Sequence, residues 1–124
     1  MPHETGWVNS SLEAIVSLRF SNGVAHDFIV DTGFDGALVL PRPIVEDLGL
    51  TILSIEPVKL AKGITEMESA LAKVLWLGKE CDAQVLITEE EFSLLGTELL
   101  RGTRLTIDYV ALTVSIDLYA VMDQ

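Results

Sequence analysis

One short segment of the chain reads Phe28-Ile29-Val30-Asp31-Thr32-Gly33-Phe34-Asp35-Gly36-Ala37-Leu38-Val39-Leu40. Three apolar residues lead directly into Asp31-Thr32-Gly33, and a second apolar run follows a few residues later. A carboxylate at the mouth of a buried strand is held rigidly and can still face a cleft. Thr32 can donate hydrogen bonds that fix the loop, and Gly33 allows close backbone approach. Because Asp, Thr and Gly are also common turn residues, an ordinary β-turn is the alternative.

A second informative segment lies about 60 residues further on and reads Phe92-Ser93-Leu94-Leu95-Gly96-Thr97-Glu98-Leu99-Leu100. Two apolar residues precede Gly96, and a helix-forming run begins directly after it. Composition alone would produce an Asp-Thr-Gly tripeptide in about one chain in 40 of this length. The second segment therefore strengthens a signal that would be moderate by itself.

The rest of the chain consists of short β-like runs separated by turn residues. Asn22-Gly23 between two apolar runs predicts a hairpin, because both residues tolerate positive φ. Strands are predicted at residues 12–20, 24–30, 38–40, 58–61, 70–77, 81–87, 104–109 and 112–119, and short helices at 42–50 and 98–101. The strands at 58–61 and 70–77 flank Lys62-Gly63 and predict a long hairpin. The regular spacing predicts a mostly β fold, a small closed or partly closed barrel with one or two short helices.

Size and charge limit the classes of function. The chain has 124 residues, which fits a single domain over 1–124. Its formal net charge is −11, from 19 acidic against 8 basic residues. Such a surface repels phosphate backbones, so no nucleic-acid partner is expected. The acidic surface favours solubility, and it could also attract basic peptide substrates.

The sequence also bears on location. Charges interrupt every apolar run well before the ~20 residues that a membrane helix needs, so no membrane partner is expected. The N-terminus lacks a basic start followed by an apolar run, so no secretory signal is expected. Cys81 is the only cysteine and cannot form an internal disulfide. Together these features predict a cytoplasmic protein.

The order of these features resembles the retropepsin-like aspartic peptidases: an apolar run, Asp-Thr-Gly, a hairpin called the flap, then apolar-apolar-Gly leading into a short helix. The resemblance covers roughly residues 12–119. Asp35-Gly36, and Leu-Leu-Gly-x-x-Leu-Leu from Leu94 to Leu100, look closer to bacterial single-lobe members than to the viral enzymes.

The resemblance implies roles for individual residues. Asp31 falls on the catalytic aspartate, and Thr32 and Gly33 complete its motif. Asp35 could bind the substrate backbone, or it could cap the local turn. The remaining matches are a loop that packs beneath the motif and a flap tip that touches substrate: Leu94, Leu95 and Gly96 for the loop, and Lys62, Gly63 and Ile64 for the flap.

Three features depart from the viral pattern. Phe34 is bulky where the viral enzymes usually carry a small residue. Thr97 stands where they carry an Arg that pairs with the aspartate matching Asp35, so that pair is absent. The flap has only Gly63 at its tip. These departures concern substrate range and flap motion more than the fold.

A single Asp31 implies two chains. Hydrolysis by carboxylates needs one group to accept a proton from water and another to donate one, and one Asp near its ordinary pKa of ~3.9 cannot do both. Two carboxylates ~3 Å apart repel by roughly 5 kcal/mol at an effective dielectric of ~20, enough to hold one shared proton. The sequence contains no second apolar-Asp-[Ser/Thr]-Gly. It therefore predicts a homodimer in which both copies of Asp31 meet.

The mechanism expected from this pairing is attack of a bound water on the scissile amide, without covalent intermediate, metal or cofactor. His3 and His26 do not lie at metal-ligand spacing with Cys81, so no metal site is expected. Glu89-Glu90-Glu91 is interpreted as a solvated turn. Two functions remain open: an aspartic endopeptidase acting on a peptide or protein substrate, and a non-catalytic peptide-binding or dimerisation module on the same fold.

Overall fold

The structure is a computed structural model that describes residues 2–119, apart from the side chain of Leu60. Within that range it is mostly β, as the sequence predicts, with two short helices. The strands are β1 (His3–Val8), β2 (Ala14–Phe20), β3 (Ala25–Val30), β4 (Leu38–Pro41), β5 (Ile52–Leu60), β6 (Gly63–Trp76), β7 (Lys79–Thr88), β8 (Leu94–Leu95), β9 (Thr103–Asp108) and β10 (Thr113–Leu118). The helices are α1 (Arg42–Asp47) and α2 (Thr97–Leu100).

Six of the strands form a partly closed ring. Hydrogen-bonded neighbours follow in the order β6, β7, β4, β8, β3 and β2. β2 then returns to β6 through the pairs Arg19↔Leu75 and Phe20↔Val74. β5 extends the sheet beyond β6, while β1, β10 and β9 extend it beyond β2. The prediction of a partly closed barrel is confirmed.

The core fills this ring with apolar side chains that alternate with exposed ones along the strands. In β6, for example, Ala72, Val74 and Trp76 are buried while Lys73 and Leu75 are exposed. The largest fully buried side chains are Phe28, Leu18, Leu38, Leu40, Leu95, Ile116, Val16, Val74, Val85 and Val114. Several of these belong to β3, β4 and β8, so the segment around Asp31 is built directly on the core.

The long hairpin of β5 and β6 is more extensive than the sequence indicated. Its pairing runs from Ile52↔Ala70 to Leu60↔Gly63, with Ala61 and Lys62 in the turn. The sequence predicts a strand here only from residue 58, and residues 52–57 extend it because they pair with β6 in the hairpin. Its base continues into the ring through pairing of β6 with β7.

Two strands were not predicted. β1 contains only Trp7 and Val8 as large apolar residues, and it is a strand because it pairs with both β2 and β10. β8 has two residues and exists because Leu94 and Leu95 lie between β3 and β4. In both cases the neighbouring strands, and not local propensity, determine the structure.

α1 is shorter than the predicted 42–50, whereas α2 has the predicted length and begins one residue before the predicted 98–101. α1 ends at Asp47, with Leu48 as its C-cap and Gly49 at a φ of 70°. α2 spans one turn, from Thr97 to Leu100. Among residues 2–119, neither helix approaches the length and apolarity required to cross a bilayer.

Candidate active site

Asp31 follows the last residue of β3 and is half-buried, while Thr32 and Gly33 are exposed. Its backbone N–H donates to the carbonyl of Leu95 over 2.9 Å, which continues the parallel pairing of β3 with β8. The N–H of Gly33 donates to Asp31 Oδ1 over 2.9 Å, and the N–H of Phe34 donates to the carbonyl of Asp31 over 3.2 Å. The backbone of Asp31 is thus held on both sides at the end of a core strand, and its carboxylate accepts the hydrogen bond from Gly33.

The loop after β8 supports the segment that follows Asp31. The N–H of Gly96 donates to the carbonyl of Ala37 over 2.8 Å, and the N–H of Glu98 donates to the carbonyl of Gly36 over 3.2 Å. Leu95 is fully buried beneath the motif. The loop of Leu94, Leu95 and Gly96 thus contacts the segment that follows Asp31, and its role as support for a catalytic motif remains a prediction.

Thr97 makes a specific contact where the viral pattern has Arg. Its backbone N–H donates to the carbonyl of Phe34 over 2.8 Å, and its hydroxyl donates to the same oxygen over 3.2 Å. A short side chain can make both bonds without leaving the first turn of α2. Thr97 consequently binds Phe34, the other residue that departs from the viral pattern.

A hydrogen bond also connects α2 to the ring of strands. The indole Nε1 of Trp76 donates to the carbonyl of Leu99 over 2.9 Å. Trp76 is 6% exposed, whereas Trp7 is 42% exposed. The hydrogen bond from Trp76 to α2 leaves no local pattern in the sequence.

Asp35 is exposed on a concave surface that it shares with Thr32, most of α2 and the start of β9. This cavity measures about 450 Å³, and Arg101, Thr103 and Leu105 form its far side. The surface next to the Asp31 motif is therefore continuous with β9. Among the described residues, β9 is the outermost strand at this end of the sheet, with β10 on one side only.

The predicted substrate-binding residues of the flap lie at the end of the long hairpin. Lys62 is in the turn, and Gly63 and Ile64 begin β6. All three are exposed, Ile64 at 76%. Their role as a flap over the Asp31 motif remains a prediction.

The base of the hairpin contains an ion cluster that the sequence did not reveal. Arg42, at the start of α1, binds both Glu68 on β6 and Glu89 at the end of β7, with 2.6 Å from its Nη2 to Glu89 Oε2. Hydrogen bonding to Arg42 lowers the pKa of Glu89. Glu89 was interpreted as part of a solvated turn, and although exposed it holds Arg42. Partners 47 residues apart in the chain leave no local pattern.

The surroundings of His26 and Cys81 indicate structural roles for these two side chains. His26 Nε2 lies 2.8 Å from Ser93 Oγ, and its ring packs edge-on to Phe28. Burial lowers the pKa of His26. Burial and the nearby Asp82 raise the pKa of the Cys81 thiol, which disfavours its reactive thiolate. Within residues 2–119, no group of three or more His, Cys, Asp or Glu side chains has metal-binding geometry.

Comparison with known proteins gives similarity at the level of structure. No protein-family model and no curated protein matches the chain. EIAV protease in complex with the inhibitor HBY-793 superposes with a TM-score of 0.59 at 18% identity, covering 75% of this chain and 89% of that one. Simian foamy virus (mac) protease superposes with a TM-score of 0.51 at 15% identity, covering 69% and 90%.

A third similar structure is a foamy viral protease–reverse transcriptase in complex with an RNA/DNA hybrid. Its TM-score is 0.52 at 11% identity, with 81% of this chain but only 12% of that chain covered. At such identities the comparisons establish the fold alone. The chain has the retropepsin-like fold of these retroviral proteases.

Proposed function

We propose that this chain, which has the fold of the retroviral proteases, is a homodimeric aspartic endopeptidase. The observation that supports this most is the position of Asp31. Its carboxylate lies at the end of a core strand, accepts a hydrogen bond from Gly33 and remains partly accessible. A turn aspartate needs no such support from a separate loop, whereas a reactive carboxylate must be held rigidly.

In the proposed mechanism, the two Asp31 carboxylates of a dimer share one proton. The ionised carboxylate accepts a proton from a water bound between them as that water attacks the scissile carbonyl carbon. The protonated carboxylate donates its proton to the carbonyl oxygen, giving a neutral tetrahedral intermediate. Collapse of this intermediate, with proton transfer to the amide nitrogen, breaks the C–N bond and releases an amine and a carboxylic acid.

The surface beside Asp31 supports dimerisation. Thr32 and Asp35 share a concave face with Thr103 and Leu105 at the start of β9. No strand of residues 2–119 pairs with the outer edge of β9, so its backbone groups are offered to a second chain, and a twofold axis would use the same edge on both copies. A partner that docks there would bring its own Asp31 segment toward this one.

The surroundings of Phe34 show how this bulky residue fits beside the Asp31 motif. A Cβ built on Gly36 would lie 2.5 Å from Phe34 Cζ, and one built on Gly96 would lie 2.5 Å from Phe34 Cδ2. The ring thus packs on two glycines of the supporting loops. A bulky residue after Asp-Thr-Gly is thereby accommodated by the protein's own glycines.

The test is digestion of an unbiased peptide mixture from about pH 4 to about pH 7, run beside Asp31→Asn. The isosteric amide keeps the hydrogen-bond acceptor for Gly33 but cannot exchange the proton. Cleavage that is lost in Asp31→Asn while the dimer persists supports the peptidase. Equal cleavage by both proteins identifies a contaminant.

The second candidate is a non-catalytic peptide-binding or dimerisation module. Its motivation is the exposed hairpin tip, where only Gly63 offers backbone freedom. In that case neither protein cleaves any peptide in the digest, although both form dimers. A pure binding module has no physical need for carboxylates that repel one another, which favours the peptidase.

A further inference from the structure

A cavity whose lining shares no residue with the Asp31 motif lies along β3. It has a volume of about 710 Å³ and is bounded by residues 26–29 of β3, the start of α1 and the loop between β7 and β8. Asp27 on its rim and Asp31 are four residues apart on an extended strand, which places them about 13 Å apart along the chain. The cavity is therefore a different place on the molecule from the proposed catalytic site.

Apolar side chains form much of the wall of this cavity. Ile29 and Ile44 are half-buried, Pro43 is exposed, and the ring of Phe92 is 40% exposed. Phe92 lies in the loop before β8, next to the buried Ser93. An aromatic ring held at the mouth of a concave apolar surface is a favourable contact for an apolar side chain from another molecule.

The rim of the cavity is acidic. Asp27, Glu90 and Glu91 line it, and none of the lysines and arginines does. Glu89 also lines it, but its carboxylate is bound to Arg42. The remaining titratable group is His26, whose Nε2 is engaged with Ser93 Oγ and whose burial disfavours a positive charge.

The charge at the rim of the cavity is thus negative, and the concave shape of the cavity concentrates the resulting negative potential. The formal net charge of −11 strengthens that potential. A ligand that complements this site must combine an apolar group with positive charge. Phosphate esters, acidic peptides and anionic lipids do not satisfy this requirement.

We propose that this cavity binds peptide segments of another protein in which a large apolar side chain is flanked by lysine or arginine. The apolar side chain enters between Phe92, Pro43 and Ile44. The basic side chains on either side reach the carboxylates of Asp27, Glu90 and Glu91. This binding is independent of peptide hydrolysis and of the Asp31 dimer.

The test uses a fluorescently labelled peptide of alternating leucine and lysine, with fluorescence anisotropy at low ionic strength as the readout. Asp31→Asn serves as the common background, so that no peptide is cleaved. Matched peptides replace every lysine by glutamate, or every leucine by serine. Binding of the leucine–lysine peptide alone, weakening as salt is added, is the expected result.

Substitutions at the cavity, compared with matched substitutions elsewhere, show where the peptide binds. Phe92→Ala, and the pair Glu90→Gln with Glu91→Gln, should each weaken binding about tenfold or more. Their controls are Tyr109→Ala, an exposed aromatic in the turn between β9 and β10, and the pair Asp47→Asn with Glu66→Gln, which removes the same charge elsewhere. The controls should bind as the background does. All substituted side chains are exposed, and thermal melts confirm that each variant folds.

Amide chemical shifts provide the second readout. Peptide-induced changes should concentrate at residues 26–29 and 89–93. The proposal is overturned if the Glu90/Glu91 and control pairs weaken binding equally, if the glutamate peptide binds as well as the lysine peptide, or if the shift changes concentrate around Asp31. Loss of cleavage in other assays has no bearing on these outcomes, so failure of this site and failure of the peptidase remain distinguishable.

Discussion

The ring of Phe34 occupies the space that a side chain at Gly36 would need, since a Cβ there would lie 2.5 Å from Phe34 Cζ and 2.8 Å from Cε1. Gly96 faces the same ring but also the backbone, because its Cβ would lie 2.3 Å from the carbonyl oxygen of Gly36. Phe34 and these two glycines therefore form one packed unit behind the Asp31 motif.

Gly36→Ala should destabilise the protein by about 1–3 kcal/mol through overpacking against the Phe34 ring. Because every close atom belongs to that side chain, adding Phe34→Ala should relieve the strain. Urea unfolding of the two single variants and the double variant measures this as a coupling of about 1 kcal/mol or more. Gly96→Ala is the contrasting case, since its closest contact is backbone and Phe34→Ala should rescue it only in part. Additive effects of Gly36→Ala and Phe34→Ala on the free energy of unfolding would contradict the packing described.

Trp76→Phe should lower the free energy of unfolding by about 1–3 kcal/mol, because it removes the indole N–H and leaves the Leu99 carbonyl without that donor. Trp7→Phe is the control, since Trp7 is 42% exposed against 6% for Trp76, and should change stability by about 0.5 kcal/mol or less. Denaturant titration followed by circular dichroism measures both. Equal effects of the two substitutions would show that the bond from Trp76 to α2 contributes nothing.

Arg42→Gln should destabilise the base of the long hairpin at neutral pH and have less effect in acid. Arg42 holds the pKa of Glu89 below its ordinary value of 4.5. A depressed carboxyl pKa contributes stability that is fully present above the ordinary value and is lost as pH falls through the folded value. The difference in unfolding free energy between wild type and Arg42→Gln should therefore close below pH 4.5.

The control for Arg42 is Lys73→Gln, which breaks the more exposed pair of Lys73 and Asp82. Exposed pairs contribute little, so its effect should be smaller at every pH. Hydrogen exchange of the amides in β5 and β6 should increase in Arg42→Gln and not in Lys73→Gln. Unchanged exchange in both would mean that the cluster does not hold the hairpin base.

His26 should make the fold less stable below its ordinary pKa of 6.5. Burial lowers the pKa of His26 and Asp27 opposes this in part, so the folded protein disfavours the charged imidazole. Protonation then favours the unfolded chain as pH falls from 6.5 toward the folded pKa. His26→Gln should remove this part of the pH dependence.

Asp27→Asn should increase the part of the pH dependence of stability that comes from His26, since without the neighbouring carboxylate the pKa of His26 falls further. An NMR titration of the His26 ring protons measures the pKa directly, and urea unfolding measures the stability. A ring that titrates above 6.5 would contradict the burial described for His26.

The segment from Phe28 to Leu40 could be predicted from sequence because its signal is local: an apolar strand leads into a polar turn and a second apolar run follows. Two leucines before a glycine mark the loop from Leu94 to Gly96, but its strand β8 depends on pairing with β3 and β4. β1 and residues 52–57 of β5 could not be predicted, because they become strands only through their partners.

The contacts of Arg42 and Trp76 were beyond sequence analysis for a related reason. Each side chain binds a group that is distant in the chain, Glu89 and the carbonyl of Leu99 respectively. The closure of the ring sets the positions of these partners relative to each other. Thr97 is an intermediate case: its position after Gly96 marked a departure from the viral pattern, but its bond to Phe34 required the fold.

The proposal that two Asp31 side chains share one catalytic site is tested most directly by mixing subunits. Wild type and Asp31→Asn are first shown by sedimentation to form dimers and to exchange subunits. Peptide cleavage per wild-type chain is then measured as the Asp31→Asn fraction rises. A shared site predicts that this activity falls in proportion to the wild-type fraction, to about half in an equal mixture, because a mixed dimer holds one carboxylate. Activity per wild-type chain that stays constant across the mixtures would contradict the shared site.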